Sequence, residues 1–201
     1  TESLTIGTAT AVGTIDASGM TVVAAASEAG LTMSAAHTKA QTITGSGKVD
    51  TLYGSSKGDT ISAGGGADII HPGTGADTVD GGAGTDVLHT TSMVAASIEG
   101  AGTGTSTGVV INLGTTAIAG STITAYHGEY LGNGVTSVAS GQIAYVFDTD
   151  VSTNSGAITT ISNIETITAA GNGMNYIVMP STGDIVTGGS GTDHINAGAG
   201  N

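Results

Sequence analysis

Between Gly45 and His89 a branched aliphatic residue returns every nine positions: Leu52, Ile61, Ile70, Val79 and Leu88. Its neighbours on either side point the other way in an extended chain, so each aliphatic predicts a three-residue strand with one inward side chain. The six positions before each strand are crowded with glycine, in the units GSGKVDTLY, GSSKGDTIS, AGGGADIIH, PGTGADTVD and GGAGTDVLH. Glycine supplies the positive φ angles that a tight turn needs, so these positions predict turns. A strand of three residues buries little by itself and must stack on copies of itself. Two units close one coil of 18 residues, which sets each turn above the turn two units earlier at about 4.8 Å.

Aspartate holds the sixth position of every unit: Asp50, Asp59, Asp68, Asp77 and Asp86. Stacking places Asp50, Asp68 and Asp86 in one file and Asp59 and Asp77 in the other. Two carboxylates about 5 Å apart repel by roughly 0.8 kcal/mol in water and about 3 kcal/mol at an effective dielectric of 20. Such files call for a counter-ion. Carboxylates with turn carbonyls are hard oxygen ligands, which suits Ca2+. The competing expectation keeps the solenoid and leaves the Asp ladders solvated.

These units resemble the RTX family of calcium-binding repeats, G-G-x-G-x-D-x-U-x. The resemblance implies an all-β fold, a right-handed parallel β-roll or β-helix solenoid. It also implies Ca2+ held between turns two units apart by both sixth-position Asp side chains and by backbone carbonyls. Carried over, the pairs are Asp50 with Asp68, Asp59 with Asp77, and Asp68 with Asp86. Gly64, Gly66, Gly73, Gly75, Gly82 and Gly84 are the carbonyl donors. The first units depart from the pattern. Lys48 and Lys57 stand at the fourth position where later units have glycine, and the preceding unit AHTKAQTIT has Lys39 there and Gln41 in place of Asp. These lysines read as charge compensation at a calcium-poor end, or equally as solvated turn tips.

Composition narrows the picture. The chain has 201 residues, 35 of them glycine, with 38% apolar and 3% aromatic residues. A thick globular core is excluded, and a thin core of stacked aliphatics is favoured. About 11 coils would make a rod of roughly 50 Å. No apolar run reaches the roughly 18 residues of a membrane span. No signal peptide is visible, and Thr1 is not an initiator Met, so a processed product or fragment is expected. Cysteine is absent, and metal can supply the stability that disulfides would give an extracellular fold. A net charge of −13 without a basic patch excludes nucleic acid, and predicts that the cation-free chain repels itself.

Four segments follow. Residues 1–35 read as irregular β-rungs or an amino-terminal cap, with Asp16 and Glu28 solvated and a short helix within 20–37 as the other reading. Residues 36–89 are the repeat block, where His71 and His89 stack on one outer face. Residues 90–169 form a less regular β spacer. Its GVVINLG and ISNIETITAAGNG segments resemble the spacer between RTX blocks, and its strands are expected to continue the stack with longer loops. Tyr126, Tyr130, Tyr145 and Phe147 either mark a contact surface or fill a wider core. Asp148, Asp150, Ser152 and Asn154 faintly resemble the start of an EF-hand loop, without its glycine and closing Glu. Residues 170–201 resume the nines as a second, truncated block. Asn175 and Asp193 pair across one coil, with Gly189 and Gly191 as carbonyl donors. Asp184 is a metal position that lacks a stacking partner.

Catalysis finds no support. There is no H-E-x-x-H and no Cys, and of the two G-x-S-x-G matches GSSKG lies inside a repeat turn and GTSTG lacks a strand-to-helix elbow. His127 and Glu129 have no third group to position them. The expected function is non-enzymatic: a secreted Ca2+-binding structural protein, a building block of a bacterial surface layer or extracellular filament. That composition resembles RTX-type surface-layer proteins. The other reading is a calcium-binding accessory or secretion module of a larger secreted enzyme or adhesin, whose catalytic motif would lie outside these residues. Expected partners are further copies of the chain, end to end or in a lattice, and a cell-surface polysaccharide. The expected location is extracellular or the bacterial cell surface. A flat ice- or glycan-binding Thr row is disfavoured, because Ile69 and Val87 interrupt Thr51, Thr60 and Thr78.

Overall fold

The computed structural model describes residues 4–7, 12–20, 29–33, 37–93, 106–127, 130–147, 156–169, 174–180, 183–189 and 191–196. The strands in chain order are β1 (Leu4–Ile6), β2 (Thr14–Asp16), β3 (Ala29–Met33), β4 (Thr42–Thr44), β5 (Val49–Tyr53), β6 (Thr60–Ser62), β7 (Gly65–Gly66), β8 (Ile69–His71), β9 (Thr78–Asp80), β10 (Ala83–Gly84) and β11 (Val87–His89). After a 3-10 turn at Thr91–Met93 come β12 (Gly108–Asn112), β13 (Ile118–Ala119), helix α1 (Gly120–His127), β14 (Tyr130–Leu131), β15 (Ser137–Val138) and β16 (Gln142–Phe147). The chain then runs through β17 (Ile158–Ser162), β18 (Thr166–Thr168), β19 (Tyr176–Val178), β20 (Ile185–Thr187) and β21 (His194–Asn196).

Apart from the two-residue strands, successive strands from β1 to β11 alternate between two sheets. One has the order β1-β3-β5-β8-β11-β18-β20, and the other runs β2-β4-β6-β9-β17-β16-β12-β19-β21. In the repeat block the pairing is parallel and sets aliphatic on aliphatic: Leu52 opposite Ile70, Ile43 opposite Ile61, Ile61 opposite Val79, and Leu88 opposite Ile70. The three-residue strands carry the inward middle residue that period-two alternation predicts: Ile61, Ile70, Val79 and Leu88 are buried while their neighbours are not. Fully burying one such side chain contributes about 1.5–3 kcal/mol. Among the described residues the chain is all-β apart from α1 and the 3-10 turn, and the periodicity of the sequence does not predict α1.

The spacer departs from the rest of the stack. Its main strands do join it, but β12 and β16 run antiparallel to each other, Gly108 opposite Val146 through Asn112 opposite Gln142, and β16 is antiparallel to β17. They wedge between β17 and β19 in one sheet, while in the other sheet β18 pairs directly with β20. Two extra strands widen that sheet by about 10 Å. Their near-continuous apolar sequences, GVVIN and QIAYVF, are buried on both faces. Val109, Ile111, Ile143, Tyr145 and Phe147 enter the main core; Val110, Ala144 and Val146 pack on a second cluster with Ile123 of α1. Tyr145 and Phe147 therefore fill the wider core rather than mark a contact surface, and Tyr130 is half-buried.

Candidate metal centre

The turns between the sheets bring the sixth-position aspartates into the two expected files, and all five are buried: Asp50, Asp59, Asp68, Asp77 and Asp86. A carboxylate so placed must be hydrogen-bonded, paired or protonated. One oxygen of each is satisfied by the rung before it. The Leu31 N–H donates to Asp50 Oδ1 (2.5 Å), the Asp50 N–H to Asp68 Oδ1 (2.7 Å) and the Asp68 N–H to Asp86 Oδ1 (2.8 Å). In the second file the Gln41 N–H donates to Asp59 Oδ1 (2.5 Å) and the Asp59 N–H to Asp77 Oδ1 (3.0 Å). These last four steps between rungs of the repeat block each span 18 residues.

The second oxygen separates the aspartates. In the first two turns it is met locally. The Ser46 N–H donates to Asp50 Oδ2 (2.7 Å) and the Ser46 hydroxyl to Oδ1 (2.9 Å), while the Lys48 N–H closes onto the Ser46 hydroxyl (3.1 Å). Ser55, Asp59 and Lys57 repeat the arrangement. The Ser-x-Lys turns thus need no left-handed glycine. The Thr159 hydroxyl donates to Asp77 Oδ2 (3.2 Å). Asp68 Oδ2 and Asp86 Oδ2 are buried without a hydrogen-bond partner.

The later turns have the glycine conformation the repeat demands: Gly64, Gly66, Gly73, Gly75, Gly82 and Gly84 all have positive φ. Turn backbones also approach closely. A Cβ at Gly82 would lie 2.1 Å from the Gly64 carbonyl oxygen, and one at Gly73 would lie 1.8 Å from that of Ser55. Gly75 is engaged otherwise: its N–H donates to the Tyr145 hydroxyl (3.0 Å), which donates back to its carbonyl (3.3 Å).

Burial pushes the Asp68 carboxyl up to about 7; the Asp50 N–H bond opposes the rise, and the Asp50 and Asp86 charges add to it. Burial likewise pushes Asp77 up to about 7, and raises Asp86 and Asp184, with the Glu165 charge contributing to both. The chain has three Lys and Arg residues in all, Lys39, Lys48 and Lys57, at the far end of the files from Asp86. Among the described residues no group of three or more His, Cys, Asp or Glu side chains could hold a metal. Carboxylates arrive singly from each turn, so backbone carbonyls must complete any coordination shell. Paired buried oxygens without protein partners, in an oxygen-only surrounding, fit Ca2+ and not a nitrogen- or sulfur-preferring ion.

Sequence reasoning missed two members of the files. Glu165 accepts the Asp86 N–H (2.8 Å) and Thr159 Oγ1 accepts the Asp77 N–H (3.4 Å), so they occupy the next sixth positions. The signal was present: Glu165-Thr166-Ile167-Thr168 has the form of Asp59-Thr60-Ile61-Ser62. Glu165 also corrects the expectation for Asp184. Thr166 pairs with Ile185, which puts Glu165 beside Asp184 and gives it a neighbour in the file. Asn175 and Asp193 do meet, with the Asn175 side-chain amide donating to Asp193 Oδ1 (2.8 Å). Gly189 and Gly191 lie in the adjoining turn, next to Gly188, where a Cβ would sit 2.4 Å from Asp193 Oδ2. His71 and His89 stack as expected, ring centroids 4.6 Å apart, and Tyr53 extends the column at 4.3 Å. Residues 148–154 and Glu129 lie outside the described residues.

A family model for the RTX calcium-binding nonapeptide repeat, in 4 copies, matches residues 44–79, 73–92 and 181–201. Neither a curated protein nor a solved structure matches the chain. Repeats of this kind bind Ca2+ and are typical of secreted proteins. Over those residues the nine-residue repeats of this chain match the RTX calcium-binding family.

Proposed function

We propose that this chain is a secreted structural protein whose right-handed β-roll, 18 residues to the coil, is folded by Ca2+ and assembled into a surface layer or extracellular filament. The observation that carries the calcium half is the pair of buried, partnerless oxygens, Asp68 Oδ2 and Asp86 Oδ2, in one file. Ca2+ supplies the positive charge and the oxygen-ligand demand that this file lacks. Asp68 and Asp86, with carbonyls from Gly64, Gly66, Gly82 and Gly84, hold the central site. Asp50 and Asp59 belong to turns that satisfy themselves and start the files. Asp77 and Gly75 face the Tyr145 and Thr159 hydroxyls and, with Gly73, take metal more weakly, as does the Asn175 and Asp193 pair.

Assembly is supported by the strands at the roll's margins. Ile185 on β20 and Ile195 on β21 are 61% and 46% exposed, and Leu4 on β1 is 46% exposed. Unpaired strand edges with apolar side chains template further pairing. Export through a membrane as an unfolded chain at low calcium, then folding outside, matches the affinity of about 10⁻⁴–10⁻³ M typical of extracellular modules.

Circular dichroism during a calcium and chelator titration, followed by electron micrographs of both states, tests the reading. Strand signal gained cooperatively with Ca2+, and ordered arrays or filaments, are expected. A spectrum indifferent to chelator would remove the calcium half. Dispersed monomers in Ca2+ would remove the assembly half and leave an accessory module of a larger protein.

A further inference from the structure

After His89 parallel pairing onto the repeat block resumes only at β17 and β18, and at that seam the file of acids continues through Glu165 rather than an aspartate. Register shows what the return turn lacks. Val87 pairs with Thr166, so Glu165 stands over Asp86. A Cβ at Gly81 would lie 2.0 Å from the Asn163 carbonyl oxygen, as one at Gly45 would lie 2.1 Å from that of Ala63, so Asn163 stands over Gly81. Five steps of chain separate Gly81 from Asp86, but only Ile164 separates Asn163 from Glu165. The glycine-rich middle of the repeat turn is missing here. A longer acid reaches where the shortened turn falls back, and Asn163 is the one non-glycine residue with positive φ (51°) among those described. Asparagine tolerates that conformation better than most residues, and it aims its carbonyl at Gly81 beside Asp86 Oδ2, which would be 2.8 Å from the same Cβ.

We propose that Asp86, Glu165 and the Asn163 carbonyl form a calcium site at this seam, pinning the returning chain to the repeat block. The sign of a ligand beyond the closeness of the two acids is Asp86 Oδ2, on a fully buried residue with no partner, an oxygen that the seam ion shares with the central site. Asp80 and Asp184 add negative charge on either side, Asp80 Oδ1 being bonded to Asn163 Nδ2 (2.7 Å). Every lysine lies at Lys57 or earlier in the sequence. Two carboxylates and turn carbonyls make an oxygen-only set, which selects a hard divalent cation. The return turn brings no glycine carbonyls of its own, so the site is completed by the carbonyls of Gly82 and Gly84 and by water. This inference rests on the calcium reading of the repeats.

The test is bound Ca2+ per chain by equilibrium dialysis, with hydrogen exchange of the 158–168 peptides, in wild type, Glu165→Gln and Glu165→Asp. Gln keeps an oxygen to accept the Asp86 N–H and removes only the charge, so a purely structural role would leave both readouts unchanged. About one ion fewer in Glu165→Gln is expected, with faster exchange over 158–168, unchanged exchange over 42–62, and partial return of both in Glu165→Asp. An unchanged ion count and exchange in Glu165→Gln overturns the seam site. No Ca2+ bound to wild type overturns the underlying calcium reading instead. Should Glu165→Gln fail to fold, wild type alone decides: protection of 158–168 must rise with Ca2+ and not with Mg2+, and equal protection in both overturns the site.

Discussion

The Tyr145 hydroxyl closes a two-way hydrogen bond with the backbone of Gly75, accepting its N–H at 3.0 Å and donating to its carbonyl at 3.3 Å across seventy residues of sequence. The next repeat turn would stack on Gly75, but the spacer intervenes, and its tyrosine supplies the donor and acceptor which that turn would have brought. Thr159 does the same for Asp77. Tyr145→Phe leaves the Gly75 N–H without a partner in a buried setting, while the Gly75 carbonyl keeps only the longer contact from the Thr159 hydroxyl (3.4 Å). The expected loss is about 1–3 kcal/mol in urea unfolding at saturating Ca2+, with bound calcium unchanged. A drop in ion count would show that the hydroxyl supports a metal site rather than replacing one.

Asp50 and Asp68 occupy equivalent positions one coil apart, yet they should respond in opposite ways to loss of charge. Asp50 accepts from Leu31, Ser46 N–H and the Ser46 hydroxyl, so Asp50→Asn sets an amide donor among donors and destabilises the fold by about 1–3 kcal/mol with or without calcium. Asp68 keeps Oδ2 without a partner. Asp68→Asn relieves repulsion in the metal-free chain and removes a ligand from the metal-bound one. Its melting temperature should rise in chelator and fall in Ca2+. Parallel shifts of both variants under both conditions would deny the distinction.

The repeat block was legible because every quantity that builds it is local and periodic: the aliphatic that points inward, the glycines that turn, the Asp that follows. From Leu52 to Leu88 the nine-residue phase located each strand that carries an inward aliphatic and each sixth-position acid, while the two-residue strands β7 and β10 fall where it predicts turns. Beyond His89 the phase could not locate Glu165, because the turn before it is shortened and the period no longer counts correctly. Tyr145 was beyond reach for another reason. Its partner is chosen by an antiparallel pair, β12 with β16, entering a parallel sheet, and nothing in a run such as QIAYVF tells which of two buried faces meets the repeat turns. The nine-residue pattern marks the Ser46 and Ser55 turns only as lysine-bearing departures; the serine, two places before the lysine, is what satisfies the aspartate.

Two glycines isolate backbone crowding from mere turn composition. Gly73 has φ +88°, and a Cβ there would meet the Ser55 carbonyl oxygen at 1.8 Å; Gly47, in the first turn, has nothing within 4 Å of its own. Gly73→Ala must push two stacked turns apart as well as strain its own backbone, and a loss above about 2 kcal/mol is expected. Gly47→Ala should fall within about 0.5 kcal/mol of wild type. Comparable urea midpoints for the two variants would show that the turns are not packed as described.

Metal-free stability should depend on pH in two opposed ways. Asp68 and Asp77 have carboxyls pushed by burial from 3.8 up to about 7, so between those values the fold holds protons that the unfolded chain releases. Their contribution is present at low pH and is lost as pH rises toward 7. His71 is lowered from 6.5 to about 4, first by burial and then by the His89 charge. Its contribution is present above 6.5 and is lost as pH falls toward 4. From about pH 7.5 to 6.5 only the acids act, so the melting temperature in chelator should rise on mild acidification. Below that the histidine column opposes the gain and the curve should flatten. His71→Phe keeps a ring in the stack beside Tyr53 and removes one of two opposing protons, leaving His89, which burial also lowers, so its curve should rise further than that of wild type before it flattens. Calcium requires the ionised acids, so its binding near neutral pH should release protons, seen as a dependence of the apparent binding enthalpy on buffer ionisation enthalpy. A metal-free melting temperature that instead climbs from pH 6.5 to 7.5 would mean that Asp68 and Asp77 are charged in the fold without calcium.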